Sequence, residues 1–113
     1  MIEKYSFGTI CVNGMTYNTD IKIVRGLVIA DWWRPSGHTV DVDDIRDILE
    51  IKPKILIIGK GEPGYMKLTG TLLEYLEKNN IKLIEEQTSQ AIHTFNRLFE
   101  AGKNISAGFH LGC

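Results

Sequence analysis

The run Gly59-Lys60-Gly61-Glu62-Pro63-Gly64 carries the clearest chemistry in this chain, because it matches the G-x-G-x-x-G spacing. In that pattern small residues let the backbone approach a pyrophosphate, and a following helix N-terminus presents free N–H groups to it. The run follows the apolar strand Ile55 to Ile58 and precedes a helical pattern. Glu85 lies about 20 residues beyond Gly64, after the next strand, where a ribose-binding acid would belong. Gly59, Lys60, Gly61 and Gly64 are therefore the candidate ligand-binding residues. Three features oppose a dinucleotide. Glu62 places a negative charge in the cradle, Pro63 removes an N–H donor, and 113 residues are too few for two mononucleotide-binding halves. The plainer reading is a tight strand-to-helix turn that needs glycine for its backbone angles.

A second candidate is Trp32-Trp33-Arg34-Pro35. Adjacent strand residues point to opposite faces, so one tryptophan buries and the other turns outward beside an arginine. Trp and Arg are enriched at binding hot spots, which makes Trp33 and Arg34 the candidate interaction residues. The competing reading is a loop packed over its own core. His38, His93, His110 and Cys113 are scattered and lack the four-ligand spacing of a structural zinc site, so no metal site is expected. Ser89 reads more simply as a helix cap than as a nucleophile, and His93 as a helix residue. Asp41, Asp43, Asp44 and Asp47 suit the solvated start of a helix, where carboxylates complement the dipole. No catalytic residue emerges.

Two halves must position these groups. In the first, Phe7 to Val12 and Met15 to Asn18 flank Asn13-Gly14, a strong hairpin signal. Ile21 to Val24 and Leu27 to Trp32 flank Arg25-Gly26, and the continuous apolar run Leu27 to Ala30 reads as buried on both faces. In the second half, Asp41 caps a helix with Val42, Ile45, Ile48 and Leu49 on one face. Ile55 to Ile58 reads as a parallel strand. Leu68, Leu72, Tyr75 and Leu76 mark a second helix, and Ile81 to Ile84 another strand. Thr88 or Ser89 caps a third helix that directs Ala91, Phe95, Leu98 and Phe99 inward, and Ile105 to Leu111 closes the chain. Strand–helix alternation implies crossovers and a largely parallel sheet. The expected architecture is one α/β domain over residues 1–113, with a mixed, mostly parallel central sheet and N-terminal antiparallel hairpins.

Composition bounds the partners. With 43% hydrophobic and 24% charged residues, the chain has the make-up of a globular protein. A net charge of −1 and a pI of about 6.3 argue against nucleic acid. No apolar run reaches the length of a membrane span, and Met1 to Ser6 lacks the features of a signal peptide. Two cysteines, Cys11 and Cys113, fit a reducing, cytoplasmic compartment better than a secreted scaffold.

Several pieces together resemble a family of small domains of unknown biochemical activity from archaea, bacteria and mitochondria, which includes a mitochondrial complex I assembly factor. They are Leu27 to Ala30 followed by tryptophan, His38 before an acidic helix, and Ile57-Ile58-Gly59-Lys60-Gly61. Thr88-Ser89-Gln90-Ala91 through Thr94-Phe95-Asn96-Arg97-Leu98 and the strand with Ile105-Ser106-Ala107 complete the likeness. The resemblance implies a layered β+α/β/α fold and an interaction or assembly role. It brings no catalytic residues, and Phe95 stands where the family usually has tyrosine. Three functions follow: an interaction module with a protein partner or a second copy, a nucleotide or phosphate binder using the glycine loop, or an enzyme with a site around Lys60, Asn96 or His93. No cofactor is called for.

Overall fold

Asn13-Gly14 and Arg25-Gly26 set the path of the first third of the chain. All four residues have positive φ, between 50° and 81°, the condition for two-residue type I′ hairpins. The computed structural model describes residues 1–113. In it β1 (Ile2–Ser6), β2 (Thr9–Val12) and β3 (Met15–Tyr17) form an antiparallel sheet, and β4 (Ile21–Val24) and β5 (Leu27–Ile29) form the second hairpin. Strand β1 escapes a periodicity reading because Ile2 is its only buried residue. Its partner begins at Thr9 instead of Phe7, since Phe7 and Gly8 make the turn.

The remaining elements are β6 (Thr39–Val40), a 3-10 turn (Val42–Ile45), α1 (Arg46–Glu50), β7 (Ile55–Lys60), β8 (Lys67–Leu68), α2 (Gly70–Lys78), β9 (Lys82–Glu86), α3 (Thr88–Glu100) and β10 (Ile105–His110). The central sheet has the order β5-β4-β10-β7-β9. Its β10-β7-β9 portion is parallel, and β4 and β5 add antiparallel pairs, so the sheet is mixed. Alternation along β7 divides the interior: Ile57 joins Phe95, Phe109 and Ile10 on the face covered by α3 and the small sheet. Leu56 and Ile58 join Ile48, Leu72 and Met66 on the face covered by α1 and α2. Each such side chain contributes roughly 1.5–3 kcal/mol on burial. The result is the expected β+α/β/α layering.

Local expectations changed where tertiary contacts intervened. Leu27 to Ala30 is not buried on both faces, because β5 is the sheet's edge and leaves Leu27 71% and Ile29 38% exposed. The glycine run does not lead into a helix. The strand β8 intervenes, Leu68 belongs to it, and α2 begins at Gly70 under a Thr69 cap. Asp41 caps its element as expected, accepting from the Val42 N–H, but that element starts as a 3-10 turn. Neither Thr88 nor Ser89 caps α3: Gln87 holds the cap position, and Thr88 is buried in the first turn. Phe99 lies partly in solvent and stacks on Phe95.

Candidate functional site

Trp32 anchors the segment between the hairpins and the helical half. The outer end of its indole packs on β10 at Gly108, where an added Cβ would come within 2.6 Å of Cη2, so this contact requires glycine. The indole N–H donates to the Asp44 carbonyl at 2.9 Å. Arg34 covers the ring, with its guanidinium carbon 4.4 Å from the centroid, a favourable cation–π geometry. Arg34 is buried, so it supports the segment from beneath instead of meeting a partner at the surface. Its Nη2 donates to Asp20 Oδ2 at 2.8 Å and to the Gly37 carbonyl at 2.9 Å.

Asp20 is the hub below this segment, and no motif announces it. His110 Nδ1 lies 2.7 Å from Oδ2, and the Leu111 N–H donates to Oδ1 at 2.7 Å. Burial pushes the Asp20 pKa up, but the bonds from His110, Arg34 and Leu111 outweigh it and hold the carboxyl below its usual range. The other ring nitrogen of His110, Nε2, is buried without a protein partner. An Asp–His pair can serve as a general base only if that nitrogen reaches a substrate. Here the backbones of Gly61 and Gly112 flank the ring and Nε2 has no open face. The arrangement holds the end of β10 in place.

Trp33 points the opposite way and is 77% exposed. Beside it opens a cleft of about 330 Å³ whose walls include Ile29, Trp32, Asp43 and Asp44. A second cleft of about 350 Å³ shares Asp31, Trp32 and Trp33 and reaches Thr19 and Asp20. Asp31 holds left-handed backbone (φ 55°), with its N–H bound to Thr19 Oγ1 at 3.0 Å. A non-glycine residue in that region marks a position that the surroundings over-determine. The hydrophobic Leu27, Ile29 and Trp33 thus share one end of the molecule with the open edge of β5.

The glycine loop has a different character. Gly59 and Lys60 belong to β7 and pair with β10 and β9. The Gly61 N–H donates to Thr88 Oγ1 at 2.8 Å, the Glu62 N–H to the Gly112 carbonyl at 2.9 Å, and the Tyr65 N–H to the Cys113 carbonyl at 3.2 Å. Thr88 Oγ1 in turn donates to the His110 carbonyl at 2.6 Å. At the nearest helix start, the Ser89 N–H is already capped by Glu62 Oε1 at 2.9 Å. An added Cβ on Gly59 would come within 2.8 Å of Phe109, and one on Gly61 would strike the Gly112 carbonyl. Glu85 faces Lys60 at 3.6 Å. The glycines therefore admit the C-terminal strand, and the Gly61, Glu62 and Tyr65 N–H groups are committed inside the chain.

His38 and Cys113 meet, with Nε2 and Sγ 3.8 Å apart, and His38 sits edge-on to His110. No three metal-ligating groups converge on one position. His93 is exposed on α3. Asn96 clamps the N-terminal strand, accepting from the Ile2 N–H at 2.9 Å and donating to the Ile2 carbonyl at 2.7 Å.

Fold and site together define a small layered α/β domain with an open apolar sheet edge and an enclosed Asp–His–Arg cluster. The chain belongs to the family described as a protein of unknown function, DUF498/DUF598, whose model matches residues 2–110. Its fold is similar to that of MT938, with a TM-score of 0.82, 24% identity, and 100% of this chain and 98% of that one covered. A conserved hypothetical protein of Pyrococcus horikoshii, PH1505, gives a TM-score of 0.84 at 23% identity over 100% and 99% of the two chains. A Bartonella henselae protein described as an outer membrane protein gives 0.85 at 22% identity over 99% and 94%. In the present chain no helix is long and apolar enough to cross a membrane.

Proposed function

We propose that this domain is a non-enzymatic protein-interaction module that works through the β5 edge and Trp33. The contrast between the two edges of the central sheet carries the reading. The outer strand β9 presents Lys82, Glu85 and Glu86, the charged edge by which sheets discourage pairing with other chains. The opposite edge presents Leu27, Val28 and Ile29 with Trp33 beyond them, and no charge interrupts the strand. An uncharged, exposed edge is a template for strand addition. The assembly role implied by the resemblance fits such a surface. A reducing, cytoplasmic setting suits the free thiols of Cys11 and Cys113.

A photo-crosslinking amino acid placed at Ile29 and, separately, at Glu85 tests this in living cells. Discrete adducts should form from the Ile29 position and disappear with Trp33→Ala, and the Glu85 position should stay silent. Equal adducts from both edges, or adducts indifferent to Trp33, would overturn the reading.

A further inference from the structure

We infer that the occupant of the β5 edge is a second copy of this chain, paired antiparallel about a two-fold axis through Val28. The inference rests on the interaction reading and names its partner. Hairpin register supplies the first argument. Val24 pairs with Leu27, Ile23 with Val28 and Lys22 with Ile29. In a hairpin closed by a two-residue turn the pair beside the turn is hydrogen-bonded, and bonded pairs then alternate. Leu27 and Ile29 therefore direct their peptide groups to β4, and Val28 directs its N–H and carbonyl to the open edge. Two such edges related by a two-fold axis at Val28 exchange both bonds.

That single register also brings complementary side chains together. It sets Leu27 of one copy opposite Ile29 of the other, a non-hydrogen-bonded pair in which Cα atoms approach to about 4.5 Å and side chains pack closely. The cleft walled by Ile29, Trp32 and Trp33 lies beside this contact, and its volume of about 330 Å³ admits an incoming leucine. Beyond the strand, antiparallel pairing brings Arg25, in the turn at one end of β5, toward Asp31 at the other end of the second copy's β5, twice across the axis. Both are exposed, and neither joins any ion pair within the chain. Self-complementarity of this kind is what a two-fold interface demands. The strand has only three residues, so the dimer belongs to the small, weak class of interfaces.

Sedimentation velocity from about 10 µM to about 1 mM tests the pairing, a range suited to weak association. The wild-type chain should shift from monomer to dimer across it. Arg25→Asp alone and Asp31→Lys alone each set like charges opposite one another and should weaken the dimer at least about tenfold. An equimolar mixture of the two variants should recover it, because every carboxylate then meets a cation. Val28→Pro, which removes the outward N–H and spares the β4 ladder, should also leave monomer, with thermal melts verifying that each variant is folded. A wild-type chain that stays monomeric, or a mixture no better than its components, overturns the inference. Trp33-dependent adducts with a different protein at Ile29 would keep the interaction reading and remove the second copy from it.

Discussion

The glycine loop and the tryptophan segment exchange roles between sequence and structure. The loop at Gly59 to Gly64 looks like a ligand site, yet Gly59 and Gly61 make room for Phe109, His110 and Gly112, and the Gly61 and Glu62 N–H groups bond within the chain. The segment Trp32-Trp33-Arg34 matches no motif, yet it buries two of its three residues and holds the third in solvent. Spacing tells where the backbone must be small. It does not tell what the small backbone approaches, and here the neighbour is the protein's own last strand.

Substitutions in the two regions should separate these roles. Gly61→Ala should have the largest effect, at least about 3 kcal/mol or outright loss of folding, because a Cβ meets backbone that cannot move aside and φ is +87°. Urea titration measures it. If Gly61→Ala folds normally and only loses phosphate affinity, the loop is a binding site after all.

Asp20→Asn, beneath the tryptophan segment, should cost about 3 kcal/mol, since it leaves the buried Arg34 guanidinium without its counter-charge. Its pH dependence has a definite sign. Burial raises the Asp20 pKa, but the bonds from His110, Arg34 and Leu111 lower it by more, so the native value lies below the unfolded one. The native state then binds fewer protons than the unfolded state. Stability from this group is present above the unfolded value of about 4 and is lost as pH falls through the native value. Melting temperatures collected from neutral pH downward should fall less steeply in Asp20→Asn than in the wild type.

Lys60→Ala should cost less than about 1 kcal/mol, the loss of a part-exposed pair with Glu85. Isothermal calorimetry with inorganic phosphate should give the same absence of heat for wild type and variant. A heat present in the wild type and lost in the variant would restore the anion reading. Trp33→Ala should change stability least, by under about 0.5 kcal/mol, because the indole is largely in solvent. Its effect should appear in cross-linking from Ile29. The comparison fails if this substitution unfolds the chain.

Much of the architecture is legible in the sequence. The Asn13-Gly14 and Arg25-Gly26 turns, the apolar run Ile55 to Ile58 and the closing strand from Ile105 all stand where local rules put them. That one tryptophan of the pair is buried and the other exposed was legible too, although both lie beyond β5 and the turn at Asp31, not strand alternation, separates them. Strand β1 was not, because it buries one residue and otherwise leans on Asn96, 94 positions away. Nor was Asp20, whose role comes from His110 and Arg34, distant in sequence and adjacent only in the folded chain.

The order of strands accounts for the rest. Periodicity recognises a strand from its own residues, but whether Leu27 to Ile29 sits in the middle or at the rim depends on which strands lie beside it, and those come from the far end of the chain. The sequence by itself determined the turns, the strand and helix types and the glycines. Only the tertiary structure decided that the glycine loop closes on β10 and that an apolar strand stands open at the edge. Local rules act through backbone angles and nearest neighbours, whereas burial and hydrogen-bond partners belong to contacts that chain topology alone creates.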